Sequence, residues 1–114
     1  MKFKINEEEF ELQYSFRVNI YFEQIQGHTI DFSNLTPNDI VILFYCVVIA
    51  TLQKNKKPVL SMLDFLDAVD NNGGDKALID FANWFIEVMK AQYEVLSSIE
   101  EPKKEKVPSK KKTN

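Results

Sequence analysis

His28 and Cys46 are the only histidine and cysteine in this chain of 114 residues, and they are the first places to look for chemistry. A general base needs a partner to tune it and a pocket to work in. His28 sits between Gly27 and Thr29, which supply neither, so it reads as a loop or core histidine. Cys46 lies inside the most apolar stretch, Ile40 to Leu52, where burial raises a thiol's pKa and leaves it inert. It reads as packing. A single cysteine excludes an intramolecular disulfide and suits a reducing compartment. A serine nucleophile would have to use the one histidine as its base, and no elbow motif frames such a pair.

The acidic residues offer a second set of candidates. Asp70-Asn71-Asn72-Gly73-Gly74-Asp75 resembles the start of a calcium loop. Counted from Asp70, however, the position that requires glycine holds Asp75 and the position that requires glutamate holds Phe81. The segment is therefore expected to be an interhelical turn. Gly73 and Gly74 also lack the strand and phosphate-reading lysine of a P-loop. Asp64 and Asp67 read as the solvated face of a helix. No residues remain from which a catalytic, metal or cofactor site could be built, and the expectation is a binding protein without enzymatic activity or cofactor.

Partner contact is then the function to look for. Phe81, Trp84 and Phe85 read mainly as core. Trp84 falls about 60° off the Phe81–Phe85–Val88 line of a helix, at an edge where it could meet a partner, and Trp is favoured in interface hot spots. The other candidates are Lys110, Lys111 and Lys112. Residues 1–102 carry 8 Lys and Arg against 16 Asp and Glu, a net charge of −8, whereas residues 103–114 carry 6 Lys against Glu105, a net charge of +5. The basic end reads as a solubilising segment, a docking arm for an acidic partner or a nucleic-acid arm. The absence of interleaved aromatics counts against the last. An acidic body also argues against nucleic acid as the main partner.

The elements that would position these residues follow from local pattern. Phe3 and Ile5 alternate with lysines, and Phe10, Leu12 and Tyr14 alternate with Glu9, Glu11 and Gln13, which predicts a hairpin. An Asn6–Glu9 turn would set Ile5 opposite Phe10, Phe3 opposite Leu12 and Lys4 opposite Glu11. A short helix over Phe16–Gln26 should turn Val18, Phe22 and Ile25 inward and stop at Gly27. Ile30 and Phe32 alternate with polar residues, suggesting a third strand between His28 and Asn34. Thr36-Pro37-Asn38-Asp39 is a helix start, with a cap, a proline at the first position and an acid to close a capping box. It outweighs the β-branched residues of Ile40–Leu52 and makes that run a central helix. At roughly 20 Å the run is short of the ~30 Å needed to cross a membrane. Ser61 caps a helix reaching about Asp70, with Met62, Phe65, Leu66 and Val69 inward. Asp75 opens a long last helix to about Ile99, striped by Leu78, Phe81, Phe85, Val88, Leu96 and Ile99.

These elements make an α+β fold, an N-terminal β-hairpin packed on a bundle of about four helices. A single interaction domain is expected over residues 1–101, with a disordered lysine-rich tail over 102–114. No secretory signal is visible after Met1.

Met1-Lys2-Phe3-Lys4-Ile5-Asn6, then Phe10-Glu11-Leu12-Gln13-Tyr14-Ser15-Phe16, then a short helix containing Glu23, resemble the N-terminus of the tail assembly chaperones of long-tailed bacteriophages. Leu35-Thr36-Pro37-Asn38-Asp39 resembles the Leu-Thr/Ser-x-x-Asp/Glu phrase that introduces that family's apolar helix, and the likeness covers about residues 1–100. The resemblance implies a non-enzymatic chaperone that binds the tape-measure protein, keeps it soluble and recruits tail-tube subunits in the host cell cytoplasm. It also implies that a frameshifted long form often accompanies the short one. No nucleic-acid or membrane partner is expected, and a homo-oligomer is left open. The rival reading is a small acidic adaptor or inhibitor of a bacterial host partner.

Overall fold

The computed structural model describes residues 1–106, with side chains through residue 92. An antiparallel hairpin leads into four helices: β1 (Lys2–Ile5), β2 (Glu8–Glu11), α1 (Phe16–Gln26), α2 (Pro37–Lys54), α3 (Met62–Asn71) and α4 (Asp75–Lys106). This is the expected α+β arrangement. By their internal contacts the residues fall into two compact units, one of Met1–Asn83 and one beginning at Trp84 within α4. The first holds the hairpin, α1 to α3 and the opening turns of α4.

The hairpin closes more tightly than the sequence suggested. Phe3 pairs with Phe10, Lys4 with Glu9 and Ile5 with Glu8, a register two residues from the expected one. Asn6 and Glu7 form the turn, with φ of 50° and 72°. Two positive φ values in a two-residue loop give the turn whose twist matches that of paired strands. A shift of two leaves every side chain on its original face. Phe3, Ile5, Phe10 and Leu12 are therefore still buried together.

Helix α1 ends at Gly27, whose φ of 80° lets its N–H reach back to the Glu23 carbonyl. Val18 and Phe22 are buried, but Ile25 is exposed, contrary to expectation. It shares their face, yet at the last turn that face has emerged into solvent. The expected third strand is absent as well. The Asp31 carboxylate accepts from the Ser33 backbone N–H (3.1 Å) and hydroxyl (2.7 Å), and the Asn34 N–H donates to the Asp31 carbonyl (3.1 Å). Such local bonds hold the backbone in a turn and compete with strand pairing.

Helix α2 is the centre of the first unit. Its capping box is complete: the Thr36 hydroxyl accepts from the Asp39 N–H, and the Asp39 carboxylate accepts from the Thr36 N–H, both at 3.1 Å. Ile42, Leu43, Phe44, Val47, Val48 and Leu52 are buried along it. Phe44 stacks on Phe81 of α4 at 4.4 Å between ring centroids and meets Phe3 and Phe65 edge-on at 5.1 and 5.2 Å. Thr51, also buried, accepts from the Gln13 backbone N–H at 3.1 Å and so ties the chain beyond β2 to α2. At 18 residues α2 is longer than the sequence reading gave it, and its length and mean hydropathy of 1.3 would suffice for a membrane span. Much of its apolar surface is instead buried within the protein.

Helix α3 starts at a second side-chain cap, the Ser61 hydroxyl accepting from the Asp64 N–H at 3.1 Å. Phe65, Ala68 and Val69 are buried, whereas Leu66, expected inward, is exposed. Ala68 takes the inward place, which turns the helix and leaves Leu66 on its rim. In α4, Ala77 and Phe81 are buried and Leu78 half-buried. Phe85 is buried beyond Asn83. The helix runs to Lys106 instead of stopping near Ile99. Glu and Lys flanking Pro102 are good helix formers, and the helix continues through the proline despite the hydrogen bond it removes, where the missing apolar stripe suggested an end. Of the expected disordered tail, residues 102–106 belong to α4 and 107–114 lie outside the described residues.

Candidate partner-binding surface

The two candidate reactive side chains sit in opposite environments. Cys46 is completely buried on α2, and desolvation pushes its thiol up to about 12, so almost none of it is thiolate near neutral pH. His28 is exposed in the loop after α1. Its Nδ1–H donates to the Thr29 carbonyl at 2.7 Å, and its ring meets Phe22 edge-on at 5.6 Å.

Asp70–Asp75 forms an interhelical turn. The Gly74 N–H donates to the Val69 carbonyl at 2.9 Å, and the positive φ values of Gly73 (113°) and Gly74 (63°) swing the chain from α3 into α4. Among the described residues, no three of His, Cys, Asp and Glu stand together as a metal site would need.

Within this turn Asn72 does something the sequence did not signal. Its side-chain amide accepts from the Lys4 backbone N–H at 3.0 Å and donates to the Lys4 carbonyl at 2.8 Å. It donates to the Ala68 carbonyl as well, at 2.7 Å. One side chain thus imitates a neighbouring strand on the outer edge of β1. An asparagine in an Asn-Asn-Gly-Gly run looks like any turn residue. Its role depends on a strand that only the fold brings beside it.

Beside this clamp lies an open cleft of about 740 Å³ between the hairpin turn and α3. Its polar lining includes Lys4, Asn6, Glu7, Asp64, Asp67 and Asn71. Asp64, Asp67 and Asp70 pair with no lysine or arginine among the described residues.

Exposed apolar side chains gather in two further places in the first unit. Phe16 and Ile20 stand one turn apart on α1, 71% and 45% exposed, and Leu63 and Leu66 stand one turn apart on α3, 70% and 42% exposed. Leu63 carried its own sequence signal: it falls outside the stripe that Phe65 and Val69 define. Of the residues singled out for partner contact, Trp84 is half-buried on α4, and Lys110, Lys111 and Lys112 lie outside the described residues.

Comparison with family models, curated proteins and solved structures gives no match.

Proposed function

We propose that this chain is a non-enzymatic phage tail assembly chaperone that binds the tape-measure protein and recruits tail-tube subunits. The reading is carried by one agreement. The residue phrases of the hairpin and of the Leu35–Asp39 helix start imply a strand–turn–strand, a helix, a capped apolar helix, a short acidic helix and a long last helix. The elements stand in that order along the chain. The inert environment of Cys46 supports the absence of chemistry.

Affinity purification of the tagged chain from infected or lysogenic cells is the test. A very long tape-measure protein, with tail-tube subunits beside it, should co-purify. Recovery of a host protein in their place would overturn the chaperone reading in favour of an adaptor or inhibitor. The resemblance also implies a frameshifted long form, for which the codons of Lys110–Lys112 are the place to look. A slippery adenine run there with an open −1 frame is the expected outcome, and its absence would remove the long form without touching the short form's role.

A further inference from the structure

On α3, Leu63, Leu66, Asp67 and Asp70 follow the i, i+3, i+4, i+7 spacing that aligns side chains on one helix face. All four are exposed, and Asp67, with Asp64, lines the cleft. Two exposed leucines alone would mean little, since scattered apolar residues are normal on a surface. Their charge frame is what distinguishes them. Among the described residues Asp64, Asp67 and Asp70 have no cationic partner, Glu7 lines the cleft with Asp64 and Asp67, and Lys4 is the one cation in that lining.

That potential selects the occupant. Nucleic acid and anionic lipid surfaces are repelled by it. A segment with a row of lysines or arginines beside a row of apolar side chains matches both the charge and the leucines. An extended segment cannot add to β1 at Lys4, because the Asn72 amide already holds that residue's N–H and carbonyl. A helix needs no free strand edge and packs alongside another at roughly 8–10 Å between axes. We propose that the Leu63–Asp70 face of α3, with the adjoining cleft, docks a basic amphipathic helix of a partner protein, its cations on Asp64, Asp67 and Asp70 and its apolar row on Leu63 and Leu66. The inference needs only this surface and holds whether or not the chain serves tail assembly.

A fluorescein-labelled, 18-residue amphipathic Leu–Lys peptide titrated with the full chain at physiological salt tests it, with a Leu–Glu peptide of the same pattern as control. Binding of the Leu–Lys peptide should weaken about tenfold or more in Leu63→Ser/Leu66→Ser, a loss of ~1.4 kcal/mol in binding free energy. It should also weaken in Asp67→Asn/Asp70→Asn, with a shallower salt dependence, and stay as in the wild type in Phe16→Ser/Ile20→Ser. Equal loss at the α1 and α3 faces, no loss at α3, or equal binding of the Leu–Glu peptide would overturn the proposal. Amide-shift mapping on the unmutated chain gives a reading free of folding effects: shifts should concentrate at residues 63–71 and 4–7, and a map centred on α1 would overturn it. Self-association of the free chain that both α3 leucine substitutions abolish would put a second copy on this face, overturning the partner proposal.

Discussion

Helices α2 and α3 start in the same way and end up in opposite environments. Each opens on a hydroxyl cap that accepts from the N–H three residues on. At α2 the acid in that third position answers back, the Asp39 carboxylate taking the Thr36 N–H and the Gln26 side-chain amide (2.8 Å). At α3 Asp64 lines an open cleft instead. Helix α2 is buried on several sides, whereas α3 buries Phe65, Ala68 and Val69 and turns leucine and aspartate outward. A cap therefore says where a helix begins, and the distribution of apolar residues around its axis says what it is for. The all-round apolar helix organises the core, and the one-sided helix keeps a face for something else.

The sharpest way to break this contrast is to truncate side chains in α2. Phe44→Ala, which removes the ring touching Phe3, Phe65 and Phe81, should cost ~3–5 kcal/mol, and Leu43→Ala ~2–5 kcal/mol. Denaturant midpoints measure both. A shift of less than a few tenths of a molar in both would mean that α2 is not the centre.

The caps should separate next. Thr36→Ala ought to cost ~1–2 kcal/mol and Ser61→Ala ~0.5–1 kcal/mol, because only the first belongs to a reciprocal box whose acid also holds α1. Equal costs would show that the box adds nothing beyond the single cap bond.

Acid sharpens the same point. The Thr36 N–H, and after it the Gln26 amide, holds the Asp39 carboxyl below the ordinary range. With the folded pKa below an unfolded value of about 3.9, its stabilisation is complete above that pH and is lost as pH falls through the folded pKa. Urea midpoints of wild type and Asp39→Asn should thus differ at pH 6 and converge as the pH falls through the folded pKa. A gap that stays constant with pH would assign the effect to the bond geometry and not to the charge.

The smallest effect belongs to the outward face of α3. Leu63→Ser should move stability by no more than ~0.5 kcal/mol, since the side chain is 70% exposed. A loss above ~1 kcal/mol would place Leu63 in the core.

Much of this was legible in the residues. Alternation named the four buried hairpin side chains, and Thr-Pro-x-Asp marked the start of α2 against the pull of its β-branched residues. The hairpin register was missed because Glu7, unlike Asn6, is no signal for a positive φ, so the turn looked longer than two residues. Between His28 and Asn34 the alternation was real, but the Asp31 side chain claimed the backbone first. Periodicity put Leu66 on the inner side of α3 because pattern alone cannot tell Ala68 from a spacer. The candidate surface was half legible: Asp64 and Asp67 stood out as an exposed acidic face and Leu63 lay off the inward stripe, but the exposure of Leu66 and the wall on the hairpin appear only once the chain is folded.

The Asn72 clamp has a consequence in time. Lys4 and Asn72 are 68 residues apart in sequence, and the bonds between them finish an edge that the hairpin exposes from its first moment. At ~5–20 residues per second, a ribosome leaves that edge uncovered for several seconds before the asparagine emerges. Phe3 waits in the same way for Phe44 and Phe65, so the buried side of the hairpin has nothing to lie on until α2 and α3 exist. A bare hairpin is only marginally stable in water. The hairpin, made before the helices it lies on, is therefore secured only after them, and a growing chain carries an unpaired strand edge until α3 has closed over it.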